Sequence, residues 1–163
     1  MQNEVEIKSK KVININCTLL QKYKDMYKKI KINNKQIVIP LRENQILFGR
    51  YIININTDKD SEYEIINEND LIVKKNVSLY DYIYGGRINF IYLDSSEIEL
   101  DYNSNISKNP IYKIKNKGLP YTYIDDKNDL CEYKISDSII KRGDLYIHLN
   151  VTDIDKYKKN LIL

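Results

Sequence analysis

The chain has 163 residues, 42% of them hydrophobic and 30% charged, with a formal net charge of +3, which is enough apolar material to pack one medium domain or two small ones. It holds no run of about 18 apolar residues and no charged start followed by an apolar stretch, so neither a helical membrane span nor a secretion signal is read from it. Cys17 and Cys131 are too few for a zinc site or a disulfide framework, and no metal or other cofactor is expected.

Ile, Lys, Asn and Tyr dominate, all with A/T-rich codons, while Ala and Trp are absent. Ile and Tyr favour strands and the best helix former is missing, so composition leans towards β-structure. Charge is uneven. Residues 1–60 carry twelve Lys/Arg against six Asp/Glu, about +6, which leaves the remainder near −3.

Residues 1–10 read as an N-terminal extension. Lys11 to Cys17 (KVININC) alternates with period two, the pattern of a half-buried strand with Cys17 inside. Thr18 then offers an N-cap for a short helix with Leu19, Leu20, Tyr23 and Met26 on one side. Lys28 to Ile32 (KKIKI) returns to alternation, with Ile30 and Ile32 on one face and Lys29 and Lys31 on the other. Asn33-Asn34 predicts a turn, because Asn tolerates positive φ. Gln36 to Leu41 and Tyr51 to Asn56 predict two more strands, with Pro40 marking an end or an edge. The polar, acidic run Thr57 to Asp70 predicts a connection between two domains.

The second half echoes the first. Val77 leads into a Ser-capped segment that ends at a Gly85-Gly86 corner, and Ile88 to Tyr92 with Glu97 to Tyr102 predict a hairpin. In that hairpin Ile98, Leu100 and Tyr102 face inward, while Glu97, Glu99 and Asp101 face out. Ile111 to Lys115 predicts a strand stopped by Gly118-Leu119-Pro120, and Leu145, Ile147, Leu149 and Val151 mark a last one. The architecture is therefore a duplication of one strand–helix–strand opening.

In order, the Ser-capped segment with its Gly-Gly corner, the Leu93-Asp94 turn, the Lys117-Gly118-Leu119-Pro120 turn and the Gly143-Asp144 corner resemble the C-terminal β-domains of DnaJ-type (heat-shock protein 40) co-chaperones. Thr18, Leu19, Tyr23, Lys28, Lys29, Lys31 and Ile32 occupy matching places in the first-domain opening, and Asp70-Leu71 fits the entry to the second domain. The resemblance covers residues 11–163 and implies a mainly β fold of two tandem small β-sandwich-like domains with short helices. Residues 11–70 would form the first, peptide-binding domain and residues 71–152 the second, with a polar insertion at 121–138. Residues 153–163 would be a dimerisation tail, with Ile154, Tyr157, Leu161 and Ile162 making one apolar stripe. The pattern reads as part of a longer protein of the zinc-less subclass. Its compartment is left unknown, with the cytoplasm as the default and export of the parent protein left open.

The resemblance also implies a function. A groove beside Tyr23, Lys28, Lys29, Ile30, Lys31 and Ile32 would receive an extended peptide, including the acidic Glu-Glu-Val-Asp tail of a 70-kDa heat-shock chaperone. Unfolded client polypeptides are the other expected ligands, and a homodimer is the expected assembly. Strand addition and Lys–carboxylate pairing suit such ligands, but a solvated strand face is the plain alternative for KKIKI. A scaffold or adaptor without client binding is the second reading of the chain. Single-stranded nucleic acid, read from Lys interleaved with 15 Tyr, is a third, without an RNP-like or KH-like signature behind it. No enzyme is expected. His148, the one histidine, alternates with Ile147 and Leu149 on a strand, and no partner for it is visible in the sequence. The paired carboxylates of the hairpin and the Arg142-Gly143-Asp144 tripeptide read as a solvated face and a tight turn.

Overall fold

The computed structural model describes residues 11–103, 110–123 and 139–152. Strands account for most of them, and the two helices are short. The first elements are β1 (Lys11–Cys17), α1 (Leu19–Tyr23), β2 (Tyr27–Ile32), β3 (Lys35–Pro40), β4 (Gln45–Phe48) and β5 (Tyr51–Thr57). Then come β6 (Tyr63–Ile66), β7 (Asp70–Val77), α2 (Leu79–Tyr84), β8 (Gly85–Ile91) and β9 (Glu97–Asn103). The last are β10 (Ile111–Ile114), β11 (Pro120–Tyr123), β12 (Ile139–Arg142) and β13 (Leu145–Val151). The fold is the mainly β one that the sequence predicts. It divides into two compact units, Met1–Lys59 with Pro120–Ile140, and Asp60–Leu119 with Lys141–Leu163.

In the first unit, β1 runs parallel to β5 and β4 pairs antiparallel on the other side of β5, giving the order β1-β5-β4. β2 and β3 form a separate antiparallel ribbon, closed by Asn33 and Asn34, both at positive φ. Ile15, Cys17, Ile53 and Ile55 of the sheet meet Ile32, Ile39 and Leu41 of the ribbon in one core. Alternation makes this possible: the Asn residues between the isoleucines point outward, where the Asn54 side chain donates to Asn14 at 3.3 Å. Thr18 caps α1 with a reciprocal box, Gln21 N–H to Thr18 Oγ1 at 3.1 Å and Thr18 N–H to Gln21 Oε1 at 3.0 Å.

The apolar side of α1 differs from the expected one. The helix buries Leu19, Lys22 and Tyr23, while Leu20 and Met26 are exposed. With only five residues, the helix ends before Met26 and presents a single i, i+3, i+4 set to the core.

The second unit repeats the plan. β7 runs parallel to β13 in a four-stranded sheet of order β10-β13-β7-β6, and β8 and β9 form the separate ribbon. Leu71, Val73, Leu145, Ile147 and Leu149 are buried in the sheet, as are Tyr92, Ile98 and Tyr102 in the hairpin. Lys75 lies 4.1 Å from the Phe90 ring and Tyr63 meets Tyr92 edge-on, which ties ribbon to sheet. Matching backbone bonds mark the repeat. Lys11 N–H donates to Arg50 C=O and Leu71 N–H to Asp144 C=O, both at 2.9 Å. Cys17 C=O accepts from Asp58 N–H, as Val77 C=O does from Thr152 N–H.

Besides β11 and β12, which pair with each other where the sequence reading has a turn, an insertion and no strand, two further short strands depart from it. β6 lies within the run expected to be only a connection, and β4 falls in a stretch left without a strand. Each has four residues, too few for alternation to register, and each gains its hydrogen bonds from a longer neighbour, β7 and β5. Residues 120–123 also group with the first unit, where the Arg42 and Glu43 side chains hydrogen-bond Thr122.

Candidate peptide-binding edge

Among the described residues β2 pairs only with β3, so one edge of β2 carries no neighbouring strand. The ladder fixes which groups face that edge. Leu41 N–H donates to Met26 C=O at 3.0 Å, extending the register in which Tyr27 stands opposite Pro40. Hydrogen-bonded pairs then recur at Lys28/Ile39, Ile30/Ile37 and Ile32/Lys35, and the main-chain groups of Tyr27, Lys29 and Lys31 point away from β3. The side chains of these three residues are exposed, as is that of Lys28.

The six expected peptide-binding residues therefore fall into two sets. Lys28, Lys29 and Lys31 are exposed and Ile30 is half-buried, whereas Tyr23 and Ile32 are buried core side chains. The Lys28 ammonium donates to the Asn16 carbonyl at 3.1 Å. From Tyr27 to Pro40 the ribbon holds Lys28, Lys29, Lys31 and Lys35 and no acidic residue. Lys22 of α1, by contrast, is only 2% exposed and donates to Asn44 Oδ1 at 2.8 Å. Burial pushes its pKa below the ordinary lysine value, against smaller opposing pulls from Cys17 and Glu43.

Tyr27, Val38 and Arg42 are additions from the structure. Tyr27 and Val38 are 56% and 54% exposed, a large apolar share for neighbouring strands. At the start of β2, Arg42 donates to the Tyr27 hydroxyl at 3.2 Å, to both Asp25 carboxylate oxygens at 3.0 and 3.1 Å, and to Thr122 Oγ1 at 3.2 Å. The Tyr27 contact comes first in raising the Arg42 pKa, with Asp25 adding to it and partial burial opposing. Tyr27 lies one residue before the strand as alternation marks it, and Arg42 lies in a turn with no pattern to mark it.

The equivalent ribbon of the second unit has the opposite charge. Between Gly85 and Asn103 it holds Arg87 against Asp94, Glu97, Glu99 and Asp101. Arg87 Nε donates to Asp101 at 2.6 Å, and the Glu97, Glu99 and Asp101 carboxylates are all exposed. At its turn, partial burial pushes the Asp94 pKa up, but hydrogen bonds from Ser96 and Lys117 outweigh that and hold the carboxyl well below the usual range. α2 buries none of its side chains, unlike α1.

His148 is half-buried in β13, opposite Ile111 of β10 and Lys74 of β7. Among the described residues, no three His, Cys, Asp or Glu side chains gather as a metal site. Cys131 and the expected dimerisation residues Ile154, Tyr157, Leu161 and Ile162 lie outside the described residues.

A family model described as the DnaJ C terminal domain matches residues 41–136. The chain belongs to that family. It is 30% identical over 149 residues to a protein named "Chaperone protein DnaJ" from Mycoplasma mycoides subsp. mycoides SC. It is 31% identical over 149 residues to one of the same name from Mycoplasma capricolum subsp. capricolum. Each alignment covers 83% of this chain and 36% of the relative, so the chain spans about a third of the length of these curated DnaJ proteins.

Proposed function

We propose that this chain is a non-catalytic, polypeptide-binding part of a co-chaperone, which takes extended or unfolded segments by strand addition along β2. The observation that carries this reading is the open β2 edge, where the main-chain groups of Tyr27, Lys29 and Lys31 face outward beside exposed lysines. An added strand gains backbone hydrogen bonds from such an edge, and lysines favour carboxylates on the incoming chain. The acidic tail of a 70-kDa heat-shock chaperone is the specific ligand of this reading, and unfolded client segments are its general one. Membership of the DnaJ family supports both.

The test is a fluorescence anisotropy titration with a labelled peptide ending Glu-Glu-Val-Asp. A dissociation constant of about 1 µM or weaker is expected, weakening further with salt. Lys29→Ala with Lys31→Ala should nearly abolish binding, since hydrogen bonds to charged groups contribute roughly 1.5–3 kcal/mol each. A titration curve that the double variant leaves unchanged would remove the β2 assignment. Client binding is read separately, as slower aggregation of a denatured protein in the presence of the purified chain. No effect there would favour the scaffold reading.

A further inference from the structure

β9 is the second open edge that carries a regular row of charge. Tyr92 N–H donates to Ser96 C=O at 2.8 Å, continuing the register that sets Ile91 opposite Glu97. Hydrogen-bonded pairs then recur at Phe90/Ile98, Ile88/Leu100 and Gly86/Tyr102, and the main-chain groups of Glu97, Glu99 and Asp101 point away from β8. Among the described residues β9 pairs only with β8. As on β2, the residues whose backbone faces outward have exposed side chains.

Charged residues along an open edge normally guard it. Here the guards have opposite signs. Lys29 and Lys31 repel a second β2, and Glu97 and Glu99 repel a second β9, so pairing of like edges is opposed. A β2 edge meeting a β9 edge faces no such opposition. The two rows share the two-residue spacing of a strand face, and opposed residues in an antiparallel pair carry their side chains on the same side.

We propose that the β2 edge of one copy adds to the β9 edge of a second copy of this chain, antiparallel, with Lys29 opposite Glu99 and Lys31 opposite Glu97. Tyr27 then stands opposite Asp101, whose carboxylate is already held by Arg87. The contact joins different surfaces of the two copies, so it either closes on itself or propagates along a row of molecules. It does not rest on peptide binding, because its recognition comes from the two rows of charge.

Sedimentation velocity of the full chain tests this. Concentration-dependent association is expected at about 0.1 M salt and should disappear at about 1 M, where the Debye length falls from about 10 Å to about 3 Å. Lys29→Glu with Lys31→Glu in one chain, and Glu97→Lys with Glu99→Lys in another, should each weaken self-association about tenfold or more. Mixing the two variants should restore it, because each then offers the edge that the other lacks. The neutral pair Lys29→Gln and Lys31→Gln should act in the same direction as the reversal, which separates lost charge from a folding defect. Three results overturn the proposal: a wild-type chain monomeric at every concentration in low salt, association indifferent to both reversals, or folded variants that fail to associate when mixed.

Discussion

The Arg42 guanidinium lies 5.8 Å from the centre of the Tyr27 ring while also donating to that residue's hydroxyl, so one side chain holds the first residue of β2 from two directions. The same guanidinium pairs with Asp25, whose side chain is 23% exposed. Arg42→Ala would leave that carboxylate without its partner and release Thr122, and we expect a loss of roughly 1–3 kcal/mol in urea unfolding. Arg42→Lys should recover little, because an ammonium lacks the planar fork that reaches Asp25, Tyr27 and Thr122 together. Full recovery by lysine would mean that charge alone matters at this position.

Asp94 gives a pH-dependent prediction. Its folded pKa is depressed, so its stabilisation is complete above the unfolded value near 3.8 and is lost as pH falls through the folded value. Asp94→Asn should cost roughly 1–2 kcal/mol at about pH 7, allowing for partial exposure. The gap between variant and wild type should narrow below about pH 4. Denaturant midpoints for both proteins across that range check it; a gap that stays constant would mean the Ser96 and Lys117 contacts do not depend on the ionised carboxylate.

Lys22 behaves in the opposite sense to a paired lysine. Burial lowers its folded pKa, so the unfolded chain binds the extra proton, and stability rises with pH between the lowered value and the ordinary 10.5. Lys22→Met removes the titrating group. Relative to the variant, the wild type should gain stability as pH is raised through that window, which thermal unfolding at several alkaline pH values would reveal. Parallel curves for the two proteins would rule out a charged, desolvated Lys22 at neutral pH.

Gly143 and Gly49 make a contrasting pair. A Cβ on Gly143 would fall 2.1 Å from the Asn69 carbonyl oxygen and 2.6 Å from its carbon, both main-chain atoms that cannot swing aside. Gly143→Ala should therefore cost on the order of 3 kcal/mol or prevent folding of the second unit. Gly49 has open space around it and only its φ of +56° against substitution, so Gly49→Ala should cost about 1 kcal/mol. Comparable melting temperatures for the two variants would contradict the close approach at Gly143.

Much of the fold was legible because period-two alternation is a strong local signal, as in KVININC, KKIKI, EIELDY and LYIHLNV. The charge contrast between the two ribbons was equally plain. Pairing was not. Lys11 meets Tyr51 and Leu145 meets Leu71 through parallel registers between distant segments, and no local pattern encodes such a partner. The burial of Lys22 was hidden for a related reason: its charge argues for solvent, while its acceptor Asn44 lies 22 positions away in a turn. At the candidate edge, the sequence located the strand and its lysines. Which backbone groups point outward depends on the β2–β3 register, which only the three-dimensional pairing supplies.

The parallel registers bear on how such a chain is made. Cys17 and Tyr51 have 33 residues between them, and Val77 and Leu145 have 67. Closing the longer loop costs only about 0.6 kcal/mol more, but on a ribosome the difference is one of time. The first unit's core, from Ile15 to Ile55, has been synthesised in full before β7 is translated. β7 then has only β6 beside it until β13, the last described strand, is made, so its other edge, with Leu71, Val73 and Val77, stays open. Synthesis therefore leaves an interval in which the nascent chain, a member of a chaperone family, displays the kind of open apolar strand edge that aggregation exploits.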